Sequence, residues 1–473
     1  MHHHAPLALA ASLAITLCGI MAPSGAHATP PFSHVIIVFQ ENRTPDNLFG
    51  SNPTFEPGVD IATSGIDSTG RTVTLKATPI NGCYDVDHSH QAFTFMYDRG
   101  KMDGADRQQT TLISDCAVPL EPAFRFADNS TGVIQPYFDI AKQYGFANRM
   151  FQTNQGPSFP AHQFIFGGTS APSETSRLFA AENMALVGAG GGAGCAAERG
   201  QRVAVIDALG NEASFPPVFP CFDRPTMAEL LEGAGLGWRY YLDTNPVRSI
   251  WNAPAAIKNI CVAQTVGGVA NCTGPEYVNN VIPAQAQILT DIGDCSLAKV
   301  SWVIPDAQDS DHAGVTGTTG PAWVASIVNA VGTQATCPGG ENYWNDTAIF
   351  ITWDDWGGWY DHVPPYHVGG WATRHWGEGY TYGFRVPLLV VSAYTPAGYV
   401  DNDPHDFGSI LSFIEANYGL GRIGPGYYAD AFATDLSAFF TLTTPRGFSV
   451  IPAKWNAAYF LHRPPSSLPL DDD

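Results

Sequence analysis

The segment HVIIVFQ, residues 34–40, is rich in β-branched residues, apolar almost throughout, and runs directly into Glu41-Asn42-Arg43. Unbroken apolarity of this length, with polar loop residues behind it, predicts a strand buried on both faces. Comparable runs recur at 300–304, 348–353 and 386–391, the second of these leading straight into Asp354-Asp355. Between them, residues 322–331 and 407–418 place apolar side chains at the spacing of an amphipathic helix. Strands alternating with helices predict an α/β domain whose central, mostly parallel sheet is flanked by helices.

The middle of the chain departs from this pattern. Roughly from 175 to 295 the strand and helix signals thin out, GAGGGAGC at 188–195 reads as a flexible loop, and cysteines concentrate. This stretch is read as an insertion or cap within one domain spanning 29–473. At the other end, residues 1–28 carry an apolar stretch from Leu7 to Met21 followed by Ala26-His27-Ala28, the pattern of a secretory signal cut near Thr29. Its start bears His2, His3 and His4 instead of Lys or Arg. The expected product is secreted or periplasmic, and no later stretch has the 18 or more apolar residues of a membrane span.

Export changes the meaning of the cysteines. Loss of Cys18 with the leader leaves eight, an even number in an oxidising compartment, which predicts disulfides. Sequential pairing is attractive because Cys261 and Cys272 would close a short loop, but the sequence leaves the connectivity open. Zinc ligation is the rival, and it lacks any CxxC pair. The formal charge of −21, with no Asp, Glu, Lys or Arg in residues 1–28, disfavours polyanionic partners. Without a basic stripe, nucleic-acid binding has no source of affinity.

Candidate chemistry gathers where strands end, because ligand sites in open α/β sheets lie beyond the carboxyl ends of strands. If strands 34–40 and 348–353 are neighbours, Glu41, Asp354 and Asp355 converge on one rim. Carboxylates so gathered repel, each pair by on the order of 4 kcal/mol at about 4 Å in a medium of effective dielectric about 20. A divalent cation removes that cost, and oxygen ligands helped by the Asn42 amide suit a hard or borderline metal.

Four segments in chain order carry a family resemblance: ENRTPDNLFG, DVDHSHQAF, NQGPSFPAHQFIFGGTS and TWDDWGGWYDHVPP. The chain resembles the phosphoesterase family of bacterial and plant phospholipases C and bacterial acid phosphatases, within the alkaline-phosphatase-like superfamily. The resemblance implies a divalent metal held by Glu41, Asn42, Asp354 and Asp355, with Ser158 as nucleophile. His88, His312 and His362 stand at motifs whose histidines contact the transferred phosphoryl group or help the leaving oxygen depart, with His90 a competing alignment for His88. Implied substrates are small phosphate esters or phospholipid head groups. Asp355 replaces the glutamate of many relatives, which shortens one ligand arm. Phe407 stands where some phospholipases carry histidine, and Ser158 replaces threonine, so the expectation leans toward phosphomonoesters. A sulfatase of the same superfamily is the rival chemistry, but FPAH after Ser158 lacks the arginine of the sulfatase motif. A non-catalytic extracellular binding protein, its motifs holding a structural cation, is the other rival.

Overall fold

The computed structural model describes residues 1–2, 32–113, 116–184, 192–212, 215–243, 248–266, 269–367 and 381–466. Residues 3–28 of the expected leader, the start of the glycine-rich stretch and the last residues of the tail lie outside the described residues.

An eight-stranded sheet organises the chain. Its strands are β1 (His34–Gln40), β2 (Gly145–Ala147), β3 (Trp238–Tyr241), β4 (Val281–Ile282), β5 (Val300–Val303), β6 (Thr347–Trp353), β7 (Leu388–Val391) and β8 (Tyr399–Asp401). Across the sheet they run in the order β4-β3-β5-β1-β6-β7-β2-β8. β1 lies near the centre, parallel to β5 on one side and to β6 on the other, and all seven of its residues are buried. That burial is why its sequence shows no apolar/polar alternation.

β7 is antiparallel to β6 and to β2, so the sheet is mostly, not wholly, parallel. The chain leaves the carboxyl end of β6 through the Asp354–Asp361 segment and enters β7 from that same end, which fixes the reversed direction.

Part of the 175–295 stretch belongs to the sheet itself. β3 pairs parallel with β5, and β4 extends the sheet beyond it. The sequence WRYY of β3 carries Arg239 in its middle, so it does not read as an apolar run. Arg239 is accommodated at this side of the sheet by an ion pair with Asp291.

The helices are α1 (Pro45–Phe49), α2 (His90–Tyr97), α3 (Gln135–Gln143), α4 (Ser158–Gly167), α5 (Gly320–Thr333) and α6 (Phe407–Tyr418), the last two over the stretches read as helical from periodicity. α6 begins where the polar-to-apolar switch places it, with Asp406 and Ser409 forming a reciprocal cap. The eight cysteines pair in sequence order, Cys83–Cys116, Cys195–Cys221, Cys261–Cys272 and Cys295–Cys337. Among the described residues no helix is long and apolar enough to cross a membrane.

Candidate active site

The register of the two central strands sets the site. Gln40 of β1 pairs with Trp353 of β6, so the next residues, Glu41 and Asp354, emerge side by side at the carboxyl rim. The Asp354 amide donates to the Gln40 carbonyl at 2.9 Å, and the Glu41 amide donates to Ser310 O at 2.8 Å, which fixes both departures. Asn42 then takes φ 60°, a left-handed conformation that asparagine tolerates better than most residues. Gly357, also at positive φ, passes so close that a Cβ there would lie 2.6 Å from the Asn42 carbonyl oxygen. The first glycine of DWGGW is therefore a packing requirement of the site.

Asp354 turns Oδ1 to two backbone amides, those of Asn42 at 2.9 Å and Asp355 at 2.7 Å. Its other oxygen, Oδ2, is buried and has no hydrogen-bond partner. Asp355 accepts from the Gly357 amide through Oδ1 and faces Ser158 with Oδ2.

Ser158 is the first residue of α4. The preceding turn is knitted by its own side chains, with Gln152 and Asn154 both donating to the Gly156 carbonyl. From this support Ser158 Oγ lies 3.1 Å from Glu41 Oε2 and 3.4 Å from Asp355 Oδ2. Its place at a helix start adds the positive end of the helix dipole, which favours negative charge on the oxygen. Glu41, Asn42, Ser158, Asp354 and Asp355 all have 0% exposure.

The donor set fits a divalent cation. The Asn42 amide lies beside the carboxylates, its nitrogen donating to Asp354 Oδ1 at 3.0 Å and to Glu41 Oε2 at 3.3 Å. The carboxylates of Glu41, Asp354 and Asp355 gathered here repel unless positive charge lies among them. The orphaned Asp354 Oδ2 adds a further ligand atom of the same kind, and buried charge of this sort is stable when it coordinates a metal. Glu41, His162 and Asp354 also offer ligand atoms that lie within 4.8 Å of one another.

His88 and His312 stand on the far side of Asn42. The Asn42 amide oxygen accepts from His88 Nε2 at 3.2 Å and from His312 Nε2 at 2.9 Å. Each ring turns its Nδ1 to a backbone carbonyl, Val86 for His88 at 2.9 Å and Ala313 for His312 at 2.7 Å. Nε2 is thus the nitrogen each presents to the site. His90 instead bridges the carbonyls of Gln155 and Gly210, supporting the serine turn from outside.

His362 belongs to a neighbouring ionic network. Its Nδ1 is 2.8 Å from Asp46 Oδ2 and its Nε2 3.0 Å from Asp60 Oδ1. Arg385, wholly buried, clamps Asp361 through two hydrogen bonds and also reaches Asp46. Both ring nitrogens are therefore engaged by carboxylates other than those around Ser158.

Burial disfavours the charged His362 ring, but the hydrogen bond to Asp46 and the charges of Asp361 and Asp46 outweigh it and raise the pKa above 6.5. A raised folded-state pKa stabilises the fold fully below the unfolded value of about 6.5. That contribution is lost as pH rises through the folded value. His362→Gln should accordingly lower Tm most at mildly acidic pH and converge with the parent at alkaline pH. Thermal melts of both proteins across pH check this, and parallel Tm profiles would contradict it.

Two further residues support the site, one of them inside the NQGPSFPAHQFIFGGTS segment. Asp311, at φ 73°, accepts from Gln40, Tyr137 and Trp353, bracing the ends of β1 and β6 beneath the carboxylates, and burial pushes its pKa up to about 6. His162 lies four residues after Ser158 on α4, with Nε2 3.0 Å from Glu41 Oε1. The four-residue spacing on a helix puts both side chains on one face, which is the signal that would have found it.

The chain matches the Phosphoesterase family over residues 32–421. It is 25% identical to phospholipase C A of Mycobacterium tuberculosis over 457 residues, covering 89% of this chain and 79% of that protein. It is also 25% identical to non-hemolytic phospholipase C of Pseudomonas aeruginosa over 259 residues, covering 48% of this chain and 34% of that protein. Among solved structures, a protein in the alkaline phosphatase superfamily from Vibrio parahaemolyticus aligns with TM-score 0.36 and 8% identity, covering 86% of this chain and 70% of that one. The family match runs from the residues just before β1, through both carboxylate-bearing strand ends and the Ser158 turn, to the end of α6. The chain belongs to the Phosphoesterase family and is a hydrolase acting on phosphoester bonds.

Proposed function

We propose that the protein is an exported, metal-dependent phosphoesterase that works through Ser158 as nucleophile. The observation that carries this reading is the convergence of the Ser158 hydroxyl on Glu41 and Asp355, beside an Asp354 oxygen with no partner. Glu41, Asn42, Asp354 and Asp355 would hold the cation. A divalent cation bound there supplies positive charge that favours the serine alkoxide and offsets charge on the phosphoryl oxygens.

The protein's own groups do the rest. The Ser158 hydroxyl donates toward Glu41 Oε2, so its proton has an acceptor as Oγ attacks phosphorus in line with the leaving oxygen. Formation of the Oγ–P bond breaks the bond from phosphorus to the leaving oxygen. With Nδ1–H turned to a backbone carbonyl, His88 and His312 would each offer Nε2–H to a phosphoryl or leaving oxygen in the protonated form. Water then attacks the phosphoserine, releasing phosphate or a phosphoryl head group and returning the hydroxyl. His362 acts at one remove, holding the loop after Asp355 against α1. Export is supported by the sequence of residues 1–28 and by four disulfides.

For substrate, we favour phosphomonoesters of small alcohols and phenols. The reactive groups are wholly buried, and strong acidity opposes adsorption to anionic membranes. The second reading, a phospholipid diester, is supported by the names of the relatives. Purified protein should hydrolyse p-nitrophenyl phosphate faster than phosphatidylcholine vesicles at equal cation concentration. Preference for the vesicles would reverse the ranking, and activity on neither would remove the reading.

A further inference from the structure

We propose that His162 is a positioning residue for the cation ligand Glu41, held in place by a hydrogen-bonded strut from the 175–295 stretch. The strut runs from the Trp251 carbonyl through the Tyr240 hydroxyl and the His162 ring to the Glu41 carboxylate. It rests on the reading of Glu41 as a cation ligand and extends that reading to Tyr240 and Trp251, which lie outside the four family motifs.

The direction of each bond follows from proton count. The Tyr240 hydroxyl donates to the Trp251 carbonyl at 2.7 Å. A phenol has one proton, so toward His162 Nδ1, at 3.1 Å, the same oxygen accepts. Burial raises the Tyr240 pKa well above 10, with the Glu41 charge adding to the effect, which keeps that proton on the oxygen. Nδ1 therefore donates to Tyr240 and Nε2 donates to Glu41 Oε1 at 3.0 Å, so the ring carries both protons and pairs with Glu41 as an imidazolium.

The consequence falls on Glu41. With Oε1 engaged by the ring, Oε2 is the oxygen directed at Ser158, 3.1 Å away. The ring has little freedom to release it. Trp251 lies face to face with His162, centroids 6.4 Å apart and planes at 14°, and Phe39 meets the ring edge-on at 4.8 Å. Trp251 also stacks on His312 at 6.5 Å, so one indole from the 175–295 stretch walls both sides of the site. His162, Tyr240 and Trp251 all have 0% exposure. Hydrogen bonds that orient a ligand in this manner are typically worth about 10- to 100-fold in metal affinity.

The test compares cation affinity, by calorimetry, of the full-length protein and of Tyr240→Phe, His162→Gln and Glu41→Gln. Zn²⁺, Mn²⁺, Mg²⁺ and Ca²⁺ are titrated separately, and the cation the parent protein binds tightest is used throughout. Tyr240→Phe removes only the bridging hydroxyl and keeps the ring packing. Both Tyr240→Phe and His162→Gln should bind the cation about 10-fold more weakly or worse, and p-nitrophenyl phosphate turnover should recover in excess cation. Unchanged affinity in both variants, with Glu41→Gln impaired, would overturn the strut and leave the cation site standing. Weakening in His162→Gln alone would mean direct ligation by the ring and would also overturn it. A parent protein that binds no cation, or a Glu41→Gln protein that binds as well as the parent, would remove the cation reading and the strut together.

Discussion

Ser158→Ala should lower kcat for p-nitrophenyl phosphate by about 10³-fold or more while leaving bound cation at the parent level. On the proposed mechanism the substitution removes the attacking oxygen and nothing that holds charge. Glu41, Asn42, Asp354 and Asp355 keep their backbone anchors, because Asp354 Oδ1 is fixed by the Asn42 and Asp355 amides and Asp355 Oδ1 by the Gly357 amide. Fold stability should change little, since one hydroxyl at a helix start is lost and no cavity larger than an oxygen is made. Steady-state kinetics together with elemental analysis read both halves of the expectation. A fall in cation content equal to the fall in rate would mean that Ser158 serves the ion and not the reaction.

Asp354→Asn should do the opposite. The neutral side chain can still turn its oxygen to the Asn42 and Asp355 amides, but it brings an NH₂ to the position now held by the orphaned Oδ2. Loss of a charged ligand should weaken cation binding by more than about 10²-fold, beyond the usual effect of outer groups. Cation-free protein should hold or gain thermal stability, because one of three buried like charges has gone. The cation-dependent rise in Tm, which follows from binding to the folded state alone, should shrink or vanish. Melts with and without excess cation measure both effects, and a Tm rise equal to the parent's would exclude Asp354 as a ligand.

The readability of the sequence divides along physical lines. β1, β5, β6, α5 and α6 were legible because full burial or helical periodicity is written into consecutive residues, and the pairing of β1 with β6 then meets the condition that brings Glu41 and Asp354 to one rim. β3 was not legible, since a strand carrying Arg239 breaks the apolar run and its charge is answered by Asp291, fifty-two residues away. The direction of β7 was hidden for a similar reason: an apolar run states burial but not which way the chain travels.

At the site, Ser158, His88 and His312 came from motifs, and they meet around Asn42 and Glu41 through residues distant in sequence. His362 came from an equally well-matched motif, yet its nitrogens serve Asp46 and Asp60, because WYDHVPP also has to build the loop that carries Asp355. Motif likeness does not separate a histidine that faces the reaction from one that holds the loop. Trp251 has neither motif nor composition to mark it, and His162 and Asp311, inside the Ser158 segment and beside His312, carry no signal that tells their roles. Their roles exist only once α4, the loop after β5 and the 175–295 stretch are brought together.

Covalent catalysis by Ser158 is read by acid-quenching the protein during turnover of p-nitrophenyl phosphate and mapping its peptides by mass spectrometry. Phosphate is expected on the peptide containing Ser158 in the parent protein and none on that peptide in Ser158→Ala. Phosphate carried by another residue, or undiminished turnover by Ser158→Ala, would contradict it.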